Sequence, residues 1–360
     1  MALGVAAALV VVECGVRLIS RVHPSVAIRH PVLGKTHQPG FEGAVFIEEA
    51  GRDVFLRFNS TGFRGEDHPL AKAQGEIRIA MLGDSMVAAV EVDEEQTTVK
   101  RLEGMLAGKS GQRNVRVMNF GVAGSSTAQE LVLYRELVRE FSPDVVVLIY
   151  FMGNDFSDNS RRLSSNPRIY FELDEYGELV QLPFSVTRNR LSAWLNRHSR
   201  LYVWQKSALK RWRLRNSGRS GSRIHDTGAD AELAAAWNLN ERLVGQLRDH
   251  VVADGARFVL ALCPAGRQVY DDMWAKALRE AGSAAVRYDR GYPVRSLTGF
   301  ANRAGIEVID LTPALRKAAT DPGLATAERL FLAGGEGHLS STGHAIVAAE
   351  IAASLTSVSR

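Results

Sequence analysis

Two cysteines in 360 residues, Cys14 and Cys263, are too few for a disulfide framework, so the thiols do not tie the chain to an oxidising compartment. The nine histidines form no His-Glu-x-x-His or comparable cluster, and no metal site or cofactor is expected. The glycine-rich pieces match neither the Gly-x-Gly-x-x-Gly turn of dinucleotide sites nor a phosphate loop. No low-complexity tract and no repeat period is present, which excludes array architectures.

An uninterrupted apolar run of ~20 residues, the length that spans a bilayer, is also missing. The N-terminal stretch is apolar from Ala2 to Val12 and then meets Glu13 and Arg17. It has no basic leading region and no small-residue cleavage site, so it does not read as a cleavable signal. Glu13 directly before Cys14 argues against a lipoprotein box. Residues 1–22 are read as a hydrophobic helix and a candidate single-helix membrane anchor, with a helix packed on the domain or on a partner as the alternative. Arg17, Arg21, Arg29 and Lys35 follow the run, which favours a cytoplasmic C-terminal side, and the side of the membrane stays open.

Acidic residues are absent from Leu179 to His225, where eleven Lys/Arg fall. The overall charge of +4 therefore belongs to one segment, and the remainder of the chain is net acidic. The 188–223 part also carries Trp194, Tyr202, Trp204 and Trp212. Basic residues among aromatics suit an amphipathic helix on an anionic membrane surface. Nucleic acid is the weaker reading of the same composition, and a solvated linker the plain one.

What is present is a chain of 46% hydrophobic residues, long enough for a large core. Residues 36–70 read as a small β-rich leading segment, with "VFLRFNSTGFRG" alternating and then turning at Asn59-Ser60 and Gly62. A regular alternation follows. Strands are expected at Ile77–Leu82, Val115–Phe120, Val145–Phe151, Arg257–Leu262 and Glu307–Asp310. Helices are expected from the Asp93/Gln96 capping box to about Ala107, at Ser126–Phe141, and at about 231–253, 268–281, 291–304 and 341–355. Residues 158–228 interrupt the alternation as an insertion that opens with a hairpin around Tyr176-Gly177. Repeated strand–helix units predict an α/β fold: a three-layer α/β/α, flavodoxin-like parallel sheet over residues 75–358.

Sites in such sheets lie at the carboxyl ends of the strands. There the chain places Gly83-Asp84-Ser85, "NFGVAGSST" (119–127), "FMGNDFSDN" (151–159) and "GGEGHLSSTGH" (334–344). A serine, a glycine turn, an asparagine and a histidine share one rim, which suits acyl transfer. Serine needs a base to take its proton, and histidine serves near neutral pH. The developing oxyanion needs donors already in place, and the backbone N–H groups of Ser85 and Gly124 with the Asn154 amide can supply them. Two histidines compete for the base: His338 in the loop and His344 at the helix start. His338 is preferred as the loop residue, and His344 reads as a helix anchor. Asp84 and Asp155 read as structural, and Ser125, Ser126 and Thr127 as capping residues. Asp310 reads as a cap before Thr312-Pro313.

These four ordered blocks resemble those of the SGNH (GDSL-type) hydrolase family over roughly residues 77–350. The "NSTGFRG" stretch and the apolar N-terminus are similar to a membrane-associated bacterial branch of it. The resemblance implies Ser85 as nucleophile, His338 as base, and Ser85, Gly124 and Asn154 as the oxyanion hole. The family usually carries Asp two or three positions before the histidine. Here Glu336 stands at the −2 place and Gly335 at −3, so the resemblance makes Glu336 the orienting acid. Met86 stands where the family has Leu. The implied reaction is hydrolysis of a carboxylic ester, acyl or acetyl, on a small-molecule or glycan substrate. The alternatives are O-acyl transfer to a cell-surface polysaccharide and a catalytically weak carbohydrate-binding homologue.

Overall fold

A computed structural model describes residues 2–19, 26–110, 114–164, 166–185, 190–216, 221–321, 329–332 and 337–357. The strands are β1 (Ala27–His30), β2 (Gly34–His37), β3 (Glu42–Ile47), β4 (Arg52–Arg57), β5 (Ile77–Gly83), β6 (Val115–Gly121), β7 (Val145–Phe151), β8 (Phe171–Leu173), β9 (Leu179–Gln181), β10 (Arg257–Cys263) and β11 (Glu307–Asp310). The helices are α1 (Ala2–Ile19), α2 (Ser85–Ala88), α3 (Thr98–Ser110), α4 (Thr127–Glu136), α5 (Asp155–Asp158), α6 (Arg190–His198), α7 (Arg200–Asn216), α8 (Ala231–Ala253), α9 (Gly266–Val269), α10 (Asp271–Ala281), α11 (Tyr292–Arg303), α12 (Thr312–Ala319) and α13 (Ser341–Ser357).

The central sheet has five parallel strands in the order β11-β10-β7-β5-β6. The run Val145–Phe151 lies between β5 and β10 and sends Val146 and Leu148 into one core and Val147 and Ile149 into the other, which is why it is apolar throughout rather than alternating. Alternate residues feed two cores. Ala80, Leu82, Met118, Val146, Leu148 and Leu260 pack with α4, α8 and α11. Ile79, Met81, Val117, Val147, Ile149 and Val259 pack with α3, α12 and α13. The three-layer α/β/α expectation holds, with the flavodoxin-like strand order. After β5 the chain moves to one neighbour, β6, and then returns to the other, β7. The carboxyl end of β5 is therefore the topological switch point, where a crevice opens in such sheets. Ser85 stands there.

Three expected helices differ from the sequence reading. The one expected at 268–281 breaks at the extended Tyr270 into α9 and α10. The Asp93/Gln96 capping box is formed, but on a single 3-10 turn, Glu94–Gln96. Thr97 is extended, and α3 begins anew at Thr98. The stretch expected as Ser126–Phe141 splits at Leu137 into α4 and a 3-10 turn, Val138–Phe141.

The β-rich leading segment expected at 36–70 begins earlier, at Ala27: it folds as two antiparallel hairpins, β1–β2 and β3–β4, and then ties itself to the sheet. In "NSTGFRG" the Asn59 Oδ1 accepts from Thr61 N (3.1 Å), Thr61 Oγ1 (2.8 Å) and Phe63 N (2.9 Å), an Asx-type turn. Gly62 sits at φ +85°, where a Cβ would lie 2.5 Å from the His37 carbonyl oxygen. The turn puts Phe63 into the core, fully buried against Phe120, a burial worth about 1.5–3 kcal/mol. It also delivers the buried Arg64 guanidinium to the carbonyls of Ala89 and Val92 (2.6 Å to the latter). At the far end of β5 a second buried arginine, Arg78, donates to Glu76 (3.0 Å) and to the carbonyls of Leu70, Ala71 and Phe141. The leading segment is thus bonded at both ends of the strand that carries the switch point.

The apolar N-terminus forms α1, and its charged residues have partners. Glu13 accepts from Ser199 Oγ (2.8 Å), Arg200 N (2.9 Å) and Leu201 N (3.1 Å), so it caps the start of α7. Arg17 pairs with Glu13 (2.8 Å) and donates to the His198 carbonyl (2.6 Å). Among the described residues, no helix is long and apolar enough to cross a membrane.

Candidate active site

Ser85 opens α2 immediately past β5 and is nearly enclosed. Asp84 fixes this turn: its Oδ1 accepts from Met86 N at 2.9 Å, and its Oδ2 accepts from Ser85 Oγ at 3.4 Å and from Asn154 Nδ2 at 3.2 Å. Gly121 makes the tight approach possible, since a Cβ there would lie 2.2 Å from the Ala88 nitrogen. Burial raises the Asp84 carboxyl above its ordinary value. Two further buried carboxyls, Glu130 and Asp155, are raised by burial first and then by the charge of Asp84, Glu130 reaching about 8. Asp155 is structural, as expected: its Oδ2 accepts from Phe151 N at 2.7 Å and closes the turn after β7.

The oxyanion candidates fall on the same rim. Gly124 has φ +74° in the turn after β6, a conformation that favours glycine, and a Cβ there would meet Lys35 Nζ at 3.3 Å. Lys35, from β2, donates to the Ala123 carbonyl beside it. Asn154, half-buried after β7, directs its Nδ2 to Asp84 and to Asp158 Oδ2 (3.2 Å), so both amide protons face carboxylates in this state. Ser126 stands at the N-cap of α4 without a side-chain capping bond. The Ala128 nitrogen is capped instead by Asn159 Oδ1 at 2.9 Å. Ser125 is not a cap either, because its hydroxyl donates to Glu130 Oε1 (3.0 Å) and lies 3.2 Å from the Gly83 carbonyl.

The two histidines separate cleanly. His344 is buried in α13, with Nδ1 2.8 Å from Thr98 Oγ1, so it joins α13 to α3. Burial pushes it down to about 3. It is the anchor the sequence suggested. His338 sits in the loop before α13, and its backbone is fixed: Leu332 N donates to its carbonyl (2.8 Å), and Phe331 pairs with Leu339 as a β-bridge of buried residues. Its side chain is partly open to solvent.

The carboxylate that meets His338 comes from the leading segment. Glu49, in the turn between β3 and β4, places Oε2 2.6 Å from His338 Nδ1, and its Oε1 accepts from the His338 backbone nitrogen at 2.5 Å. Glu91, six residues after Ser85, places Oε1 3.3 Å from the same Nδ1. Burial opposes charge on the His338 ring, but the Glu49 hydrogen bond and the charges of Glu91, Glu49 and Asp84 outweigh it and raise the imidazole to about 9. Burial alone would raise Glu49, but its bonds to His338 bring it below its usual value. Glu336 lies outside the described residues. Neither Glu49 nor Glu91 is legible as an orienting acid by spacing: "EEAG" reads as a solvated hairpin turn.

Glu49, Glu91 and His338 present ligand atoms within 4.8 Å of one another, a group of the kind that holds a divalent cation. The 2.6 Å between Glu49 and Nδ1 is the spacing of a shared proton. Two ligands on one tetrahedral zinc stand about 3.3 Å apart, given bonds of ~2.0–2.1 Å. The group as it stands is a hydrogen-bonded acid–base set.

No family model matches the chain, and no curated protein matches it. Solved structures resemble it remotely. An acetyl xylan esterase, AlAXEase, is 13% identical with a TM-score of 0.44, covering 78% of this chain and all of that one. TesA is 15% identical with a TM-score of 0.42, covering 77% of this chain and 97% of that one. A lipase/acylhydrolase from Enterococcus faecalis is 15% identical with a TM-score of 0.41, covering 78% and 96%. The chemistry stands on the residues themselves.

Gly337 is the residue that lets Glu49 reach His338, since a Cβ there would lie 1.7 Å from Glu49 Oε1. Gly337→Ala should push Glu49 off, and the His338 midpoint followed by NMR should fall from about 9 towards 6.5. A midpoint that stays near 9 would show that Glu49 does not set it.

Proposed function

We propose that the chain is a serine ester hydrolase of the SGNH type that acts on acyl or acetyl esters of small molecules or glycans. The observation that carries this reading is the short His338–Glu49 hydrogen bond in a loop of the same sheet whose switch point presents Ser85. An imidazole with a carboxylate on Nδ1 keeps its Nε2 free to take a proton. Ser85 Oγ attacks the ester carbonyl, and its proton passes to His338 Nε2. The tetrahedral oxyanion is met by the Ser85 and Gly124 N–H groups and by the Asn154 amide, which turns from its resting carboxylates. His338 returns the proton to the departing alcohol, leaving acyl-Ser85. Water, deprotonated by the same nitrogen, releases the acid. Glu49 holds the tautomer and balances the imidazolium, the role that the family resemblance implied for Glu336.

Ser85→Ala should lower kcat on a chromogenic acetyl ester by several orders of magnitude while leaving the fold intact. An unchanged rate removes the hypothesis.

The base works only when neutral. With His338 raised to about 9, kcat/KM should climb with pH to a midpoint near that value. The linkage has the matching sign: the charged His338 pair stabilises the fold fully below pH 6.5 and is lost as pH rises through about 9. An acid limb centred at 6.5 or below would contradict the paired imidazole.

The finer reading on location is that the protein lies on a membrane through α1 and the basic helices α6 and α7. Three features support it. Glu13 locks α1 to α7. Val10, Val11 and Leu18 on α1, Leu191 and Trp194 on α6, and Trp204 on α7 are exposed. The surrounding 179–225 segment is purely basic. Apolar and aromatic groups beside cationic ones fit the headgroup boundary of an anionic bilayer, with the helices lying in its plane. The full chain should cosediment with phosphatidylglycerol vesicles, release at high salt, and lose affinity in Trp194→Ser/Trp204→Ser. No cosedimentation at low salt would refute it.

A further inference from the structure

Glu91 is buried, yet its Oε2 has no hydrogen-bond partner among the described residues. A buried carboxylate with an unmet oxygen is costly, and such groups are retained where a charge appears beside them. Its other oxygen lies 3.3 Å from His338 Nδ1, on the ring atom that also faces Glu49. The Nδ1 hydrogen bond goes to Glu49, and Glu91 stands beside it as a second charge partner of the ring.

The backbone around Glu91 is held on both sides. Ala89 ends α2 in the left-handed region, at φ +48°, and the buried Arg64 donates to the carbonyls of Ala89 and Val92 on either side of Glu91. Ser85 and Glu91 are thus the two ends of one pinned loop. Movement of this loop would displace the nucleophile and the Glu91 carboxylate together.

We infer that Glu91 is a second carboxylate for His338, a buried charge partner beside the Glu49 hydrogen bond that balances the imidazolium formed when Ser85 gives up its proton. This rests on the hydrolase reading above. The groups that act electrically on the ring are Glu49 from the β3–β4 turn, Asp84 from the Ser85 turn, Glu91 itself and His344 from α13; Arg64 faces Glu91. Burial raises the Glu91 carboxyl, whereas His338 and Arg64 draw it back towards ionisation. Its charge is therefore favoured most when the ring is charged, as in the tetrahedral intermediate.

The test is Glu91→Gln, which keeps shape and an acceptor and removes only the charge. The His338 midpoint, read by NMR without substrate, should fall by about one pH unit. The acid limb of kcat/KM should move with it, and kcat should drop by about tenfold, with KM little changed. A merely structural Glu91 would leave the midpoint and the limb where they are, and that result overturns the proposal. Glu91→Met supplies the same comparison should the glutamine variant misfold. Glu49→Gln gives an independent arm: with Glu49 neutral, the midpoint should still lie above 6.5, and a value at or below 6.5 counts against Glu91. The Ser85→Ala assay separates the two levels. Activity lost in Ser85→Ala with an unmoved midpoint in Glu91→Gln leaves the hydrolase standing and Glu91 refuted. Activity kept in Ser85→Ala refutes the hydrolase and with it any role for Glu91 in hydrolysis.

Discussion

The hydrogen bond between Glu49 and His338 joins positions 289 residues apart and is the contact on which the proposed chemistry depends. It can form only because the leading segment is bonded to the sheet rather than tethered beside it. The Asx turn of Asn59, the buried Phe63 and the Arg64 guanidinium hold the β3–β4 hairpin against the rim where β5 ends. The bridge between Phe331 and Leu339 holds the His338 loop from the other side. A glycine at 337 leaves room for the glutamate between them. Five small constraints, none of them catalytic, converge on one proton.

The same arrangement explains why so much charge can lie near one serine. Asp84, Glu130 and Asp155 are buried near the turn and held towards neutrality, mainly by loss of water. Glu49 is drawn the other way by its bonds to His338. The site thus sets carboxyls raised by burial beside one lowered by its bonds, and the imidazole lies beside the lowered one. Environments that push like groups apart in this way are how a site assigns acid and base roles.

Much of the fold was legible in the chain. The five core strands follow from apolar runs bounded by turn residues, and Val145–Phe151 declared itself central because both its faces are apolar. The strand-end rule then put Ser85, Gly124, Asn154 and His338 on one rim. The carboxylate that bonds His338 was not legible. Glu49 belongs to a hairpin whose contact with the last loop is purely tertiary, and two glutamates before Ala-Gly carry the signature of an ordinary solvated turn. Glu13 was misleading for the same reason. In sequence it is a charge interrupting an apolar run, whereas in space it caps a helix almost two hundred residues away.

The most direct measurement is the rate at which a fluorophosphonate modifies the full-length protein, with the adduct located by mass spectrometry, in wild type, Glu49→Gln and His338→Ala. The account predicts a single adduct on Ser85, formed faster as pH rises through about 9, slowed in Glu49→Gln and abolished in His338→Ala. A folded protein that is not labelled at Ser85, or one labelled equally fast without the Glu49 charge, would contradict it.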